Sequence, residues 1–379
     1  MKRKVIVTGV VLGVAALLVV SYLLYATSQH SLVKPVSQSN SDSKKSDAKP
    51  KPEVKFGVFA KDLDTPWSMA FLPNGDMLVT ERSGKIVRIG QDGKTFPIKG
   101  VTETSEGGLL GLALHPDFAK NHLLYLYLTT SKGGLHNQVV RYTLSGDTLT
   151  FNKTIIADIP AGDMHDGGGI AFGPDGKLYV TTGENYTTPN LAQDKQSLAG
   201  KILRINDDGS TPSDNPFGNL VWSYGHRNPQ GITWDNQGRM WATEHGPSAA
   251  QGSGQDELNL IVKGGNYGWP IVHGSETAKG MRSPIIQSGS ATTWAPSGIA
   301  YADGSLFFAG LRGQTLYQAV LGKGDTVTLK EHFAGKYGRL RAVAVHDGVL
   351  YFSTSNRDGR GSPKADDDRI FQAPLSMFK

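Results

Sequence analysis

The residues in this sequence that could do chemistry are concentrated between 223 and 270. There His226, Arg227 and Asn228 precede a short strand pattern, and Gly246, Pro247, Asp256, Glu257, Asn266 and Tyr267 follow it. A plain surface connection needs no such mixture of groups. Further along, Arg312, Arg339 and Arg341 add cationic side chains suited to carboxylates or phosphates. His165 is a base whose ordinary pKa lies near working pH, able to take a proton from an alcohol. Trp294 offers a flat face for stacking a ring. Backbone oxygens of Gly246, Pro247 and Tyr267 with the Glu257 carboxylate make an oxygen-only set of the kind that suits Ca²⁺.

An internal repeat supplies the elements that must position these groups. Six segments pair two strand patterns across a short turn rich in Pro, Asp, Asn and Gly: 68–80, 111–129, 169–181, 231–243, 298–309 and 342–353. Ala70, Ala113, Ala171, Thr233, Ala300 and Ala344 hold one equivalent position in them. Alternating apolar residues around such turns give β-hairpins. Six of them, with further strands between, predict an all-β, six-bladed β-propeller. Six residues ahead of Ala171, Thr233 and Ala300 stand His165, Arg227 and Trp294. Arg339 and Arg341 lie slightly nearer their strand, and Glu106 one residue further away. The register therefore predicts that a base, an aromatic plate and several cations converge at one mouth of the central channel.

Composition agrees with short strands and tight turns: the 379 residues include 47 Gly, and 19% are charged. The absence of cysteine excludes disulfides, thiolate metal sites and Cys nucleophiles. Residues 1–55 carry nine Lys or Arg against three Asp or Glu. That leaves 30 basic and 31 acidic side chains for the remainder, which is nearly neutral and carries no nucleic-acid footprint. Three basic residues, Lys2, Arg3 and Lys4, precede an apolar run from Val5 to Ala26. Residues 1–26 are expected to be a signal anchor spanning the cell membrane, with the rest outside the cytoplasm; cleavage after Ala26 would make the protein secreted. Residues 27–55, rich in Ser, Lys, Asp and Pro, are expected to be a disordered, flexible linker. The propeller domain is expected over 56–379.

The motifs PWSMAFLPNG, EGGLLGLALHPDF, HDGGGIAFGPDGKLYVTTGE, GHRNPQG, EHGP, DELN, NYGWP and GRLRAV occur in this order. In them the chain resembles the glucose/sorbosone dehydrogenase family, aldose sugar dehydrogenases that use pyrroloquinoline quinone (PQQ). The resemblance implies PQQ- and Ca²⁺-dependent oxidation of an aldose at its anomeric carbon to the lactone, with electrons leaving to an external or membrane acceptor. It implies that His165 is the general base and that Arg227 and Asn228 contact the quinone. It further implies that Arg339 and Arg341 hold PQQ carboxylates, that Trp294 lies beside the quinone, and that Asn185 contacts the sugar. Gly246, Pro247, Glu257 and Tyr267 fall where the family binds Ca²⁺. Glu106 stands where a glutamine often contacts the quinone, and Arg312 where a lysine does. Met164 and Gly169 replace an aspartate and an arginine. A Ca²⁺-dependent lactonase-type hydrolase, or a silent propeller binding sugar or an envelope partner, stays open at this point.

Overall fold

Each repeat hairpin buries one face only by stacking on its neighbours, and six of them close a ring. The computed structural model describes residues 54–90, 93–247 and 254–379. They form six four-stranded antiparallel sheets, arranged as propeller blades. The innermost strands are Pro66–Phe71, Leu109–Leu114, Ile170–Phe172, Pro229–Trp234, Pro296–Ala302 and Leu340–His346, for blades 1 to 6 in turn. Each predicted hairpin is the inner strand pair of a different blade. The second strand of each pair, such as Met77–Glu81 or Met240–Glu244, is buried along its length, except for the half-buried Leu123 that starts the one in blade 2.

Ring closure is the one non-sequential step. The strand Gly57–Ala60 adds to the outer edge of blade 6, with Val58 opposite Phe371, so the two ends of the propeller sequence share one sheet. Phe56 stacks on Phe333 and Phe371 at this seam, with ring centroids 5.1 Å and 6.0 Å apart. Apolar cores fill the spaces between blades; each fully buried Leu or Phe there contributes about 1.5–3 kcal/mol relative to exposure.

Around the axis the inner strands approach so closely that side chains are excluded. A Cβ on Gly111, Gly169, Gly231 or Gly298 would lie 2.2, 2.6, 2.4 or 2.8 Å from a carbonyl oxygen of the next blade. Gly169, which departs from the family's arginine, is thus a contact point between blades 3 and 4. Hydroxyls at the ends of the hairpins tie the ring together. Thr80 donates to the Leu110 carbonyl at 2.6 Å, and Thr243 to the Ser297 carbonyl at 2.6 Å.

No helix among the described residues is long and apolar enough to cross a membrane. The expected anchor at 1–26, and the linker up to residue 53, lie outside the described residues.

Candidate active site

The segments leading into the inner strands open on one chamber of about 300 Å³. Its wall carries Glu106, Met164, His165, Arg227, His245, Arg312, Arg339 and Arg360, with Gly246, Pro247, Asp256, Thr293 and Ala295. Beside it lies a chamber of about 10 Å³, the room of a single ion or water, walled in part by Gly246, Pro247, Glu257, Tyr267 and Arg227. A larger cavity of about 690 Å³ runs along the inner strands themselves and exposes mainly apolar side chains.

His165 reaches the chamber from a turn that only unusual backbone allows. Its own φ is +64°, and Gly167 and Gly168 follow at +68° and +109°. Asn228 braces this turn from below, its side-chain oxygen accepting from the Gly167 N–H at 3.0 Å. The His165 ring is buried, and its Nδ1 meets the buried Glu184 carboxylate at 2.6 Å. Glu184 therefore fixes the tautomer: Nδ1–H donates, and Nε2 keeps the lone pair that a base needs. The exposed Tyr186 ring stands edge-on to His165, centroids 5.0 Å apart.

Arg227 lies over the Trp269 ring at 5.2 Å, donates to the His245 carbonyl at 3.3 Å and faces both chambers. Burial lowers its pKa, against the raising charges of Glu184 and Glu106. Its backbone N–H donates to the Glu244 carboxylate, whose other oxygen holds His226 at 2.8 Å. His226 itself is fully buried and stacks on Tyr267, so it braces the site from behind. Arg339 pairs with the buried Asp358 at 2.8 Å. Arg341 sits deeper, off the chamber wall, donating to Gln230 at 3.2 Å and Ser297 at 3.4 Å. Burial pushes its pKa down to about 10. Arg312 is exposed at the rim.

Three other placements differ from what the sequence suggests. Trp294 is not on the chamber wall: its ring packs inside blade 5 against Phe308 and Tyr317, at 5.6 Å and 5.5 Å. Only its neighbours Thr293 and Ala295 reach the cavity, strapped there by Asp256, whose Oδ2 accepts from the Thr293 hydroxyl and the Trp294 and Ala295 amides at 2.7–3.0 Å. A register count places a backbone, but the strand's local geometry decides where the ring points. Asn185 spends its side-chain oxygen on its own turn, accepting from Thr187 and Thr188. Asn228 supports the chamber from beneath rather than lining it.

The residues fit both groups the family implies. For the cofactor, four arginines face the 300 Å³ chamber, while the two carboxylates there, Glu106 and Asp256, are already engaged by hydrogen bonds. For the metal, both Glu257 oxygens accept hydrogen bonds, from Gly274 N–H at 3.1 Å and Asn259 at 2.9 Å. Even so, burial first and then the Glu244 charge push the Glu257 carboxyl up to about 8. A buried carboxylate so poorly compensated suits a neighbouring cation. Among the described residues no three acidic or His side chains converge on one point, so the remaining donors would be the carbonyls of Gly246, Pro247 and Tyr267.

Residues that sequence reasoning passed over include Glu184, His245 and Arg360. The first is in the quoted TTGE motif; an acid at or just past the end of a hairpin's second strand recurs at Glu81 and Glu244. Burial pushes His245 down to about 4.

Asp166, next to His165, allows a pH test. Burial pushes its carboxyl up to about 7; hydrogen bonds from Asn137 and Gly162 oppose this, and the Glu106 and Asp163 charges add to it. A carboxyl raised above its unfolded value of 3.8 contributes stability that is fully present below about pH 4 and lost as pH rises through about 7. Wild type should therefore lose up to about 1.4 kcal/mol per pH unit over that window relative to Asp166→Asn, read by chemical denaturation at several pH values. Parallel curves for the two proteins would remove Asp166 from the pH response.

Comparison with known proteins agrees with this fold. Residues 63–362, well over half of the chain, match the family model for Glucose / Sorbosone dehydrogenase. Over 252 residues, 61% of this chain and 66% of the relative, the sequence is 38% identical to an aldose sugar dehydrogenase of Escherichia coli. It is 36% identical over 261 residues to quinoprotein glucose dehydrogenase B of Acinetobacter calcoaceticus, covering 59% of this chain and 54% of that one. The chain thus spans less than two thirds of the length of these curated relatives. Among solved structures, the PQQ-bound aldose sugar dehydrogenase of Streptomyces coelicolor superimposes with a TM-score of 0.77 at 43% identity, covering 84% of this chain and 97% of that one. A Thermus thermophilus oxidoreductase described as a glucose dehydrogenase gives 0.80 at 44% identity, covering 84% and 99%. With this fold, this motif order and this arrangement of His165 and the arginines, the chain belongs to the glucose/sorbosone dehydrogenase family.

Proposed function

We propose that the protein is a PQQ- and Ca²⁺-dependent aldose dehydrogenase, oxidising a sugar at its anomeric carbon to the lactone outside the cytoplasmic membrane. The observation that carries the reading is the oriented base, His165 with Glu184 at 2.6 Å, opening onto a chamber walled by four arginines. When bound, PQQ supplies the two-electron acceptor, and Ca²⁺ the Lewis acid that polarises it. Arg312 binds a carboxylate from the rim and Arg339 from the chamber wall, and Arg341 adds positive potential from below. Arg227 stabilises negative charge that develops between the two chambers. His165 Nε2 removes the proton of the anomeric hydroxyl, and Glu184 stabilises the imidazolium that results. Glu257 with the Gly246, Pro247 and Tyr267 carbonyls would hold the cation.

The structure of a PQQ-bound relative at 43% identity supports the cofactor. An arginine-lined chamber argues against the hydrolase alternative, which has no use for a tricarboxylate site. The basic N-terminus and the apolar run after it support an extracytoplasmic location, anchored or released. Purified protein given PQQ and Ca²⁺ should reduce a dye acceptor in the presence of an aldose, and neither component alone should suffice. Absence of dye reduction across a panel of aldoses, with PQQ shown to be bound, would sink the dehydrogenase reading.

A further inference from the structure

Glu106 is an anion on the wall of a chamber that suits an anionic ligand. Left alone it would oppose binding, yet it is not left alone. Its Oε1 pairs with Arg360 Nη1 at 2.8 Å, and Arg360 Nη2 donates to the Ser105 hydroxyl at 2.8 Å. The two partners stand 254 residues apart, one ahead of the blade 2 inner strand and the other in the loop after the blade 6 strand Val349–Thr354. That loop is itself fixed: Asp358 accepts from the Arg360 amide at 3.0 Å through one oxygen and from Arg339 at 2.8 Å through the other. The second oxygen of Glu106 points the other way. It accepts from the His165 amide at 2.9 Å and from Asn228 at 3.4 Å. One carboxylate therefore joins the cation-bearing loop of blade 6 to the turn that carries the base.

We propose that Glu106 and Arg360 form a latch across the mouth of the chamber, in which Glu106 is a positioning residue for His165 and Arg360 cancels its charge toward an anionic ligand. Glu106 is fully ionised in this setting. Burial would raise its pKa, but His245 and His165, protonated at the low pH where Glu106 titrates, together with Arg360 and the His165 amide, outweigh that and hold it at about 2. A permanently charged carboxylate 2.9 Å from the His165 amide grips it more firmly than a neutral oxygen would. The same permanence makes the counter-charge necessary. Arg360 is partly exposed, so the pair adds little to fold stability; its effect lies in the potential of the chamber. The ligand half of the proposal rests on the PQQ reading above; the positioning half does not.

A double-mutant cycle with two readouts tests both halves. The first is PQQ affinity of the metal-loaded protein, by titration calorimetry at low salt. Arg360→Ala should weaken binding about tenfold, because Glu106 is left uncompensated. Glu106→Gln should tighten it, and the double variant should return to within about threefold of wild type. A double variant as weak as Arg360→Ala would mean that Arg360 grips the ligand itself; unchanged affinity in Arg360→Ala would mean the charges do not couple. Either result overturns the charge-cancelling role. The second readout needs no cofactor: exchange of the His165 amide proton followed by NMR. It should quicken about tenfold or more in Glu106→Ala and much less in the shape-conserving Glu106→Gln. Equal protection in wild type and Glu106→Ala overturns the positioning role. If wild type binds no PQQ at all, the functional reading fails, while the exchange experiment still decides the positioning role.

Discussion

His165→Ala should leave PQQ affinity within about threefold of wild type and lower turnover by roughly 10²–10⁴-fold at saturating sugar and cofactor. The expectation follows from how the ring is held. Glu184 occupies Nδ1 at 2.6 Å, and the turn is braced at Gly167 by Asn228, so the backbone keeps its course when the ring is removed. The ring contributes a proton acceptor rather than charge to hold the cofactor. Glu184→Gln should give a loss in the same range although every catalytic atom remains. An amide in place of the carboxylate can turn its NH₂ toward Nδ1, which then has to accept, and the proton moves to the nitrogen that should be the base. Single-turnover rates with bound PQQ check both variants. Equal rates for wild type and His165→Ala would take this residue out of the mechanism and favour a propeller that binds without reacting.

Arg339→Ala should damage the protein in two separable ways. Its guanidinium faces Asp358 at 2.8 Å, and that carboxylate is buried. Burial alone would raise the Asp358 pKa, but Arg339 and Arg341 hold it below its ordinary value. Removing Arg339 leaves a buried charge with only part of its compensation, a change that costs about 3–5 kcal/mol of stability. PQQ affinity should fall as well, by about 1.5–3 kcal/mol for a lost charged hydrogen bond, roughly 10- to 150-fold. Adding Asp358→Asn should restore part of the stability, because the under-compensated buried carboxylate is then gone, although Arg341 stays buried. It should not restore the affinity. Denaturation curves and PQQ titrations of the three proteins distinguish these effects. A double variant that regains both would show that Arg339 only supports the fold.

Each experiment centres on a residue the sequence singled out, His165 in one and Arg339 in the other, and the reason is local. His165, Arg227 and Arg339 each stand a few residues ahead of an inner strand, and a two-residue alternation with a turn of Asp, Asn and Gly fixes each strand's register. The same alternation fixed the blade number, since each hairpin declares itself within about a dozen residues. The departure at Gly169 also has a short-range logic, once neighbouring inner strands are known to meet there: a Cβ would lie 2.6 Å from the Gln230 oxygen.

What the sequence determined alone was the set of hairpins, their order and the segments that face one mouth, because strand periodicity and turn chemistry act over a few residues. The tertiary structure decided which side chains those segments present. Trp294 sits at the right count yet turns into blade 5, where Phe308 and Tyr317 offer it a dry surface. Asn185 has a polar side chain at the right place, but the Thr188 amide and the Thr187 hydroxyl of its own turn claim its oxygen. Arg360, which no motif marks, reaches Glu106 only because Gly57–Ala60 closes the ring through blade 6 and brings that blade's loops beside those of blade 2. A contact between residues 254 apart depends on the curvature of the whole ring, and no local pattern of residues encodes that distance.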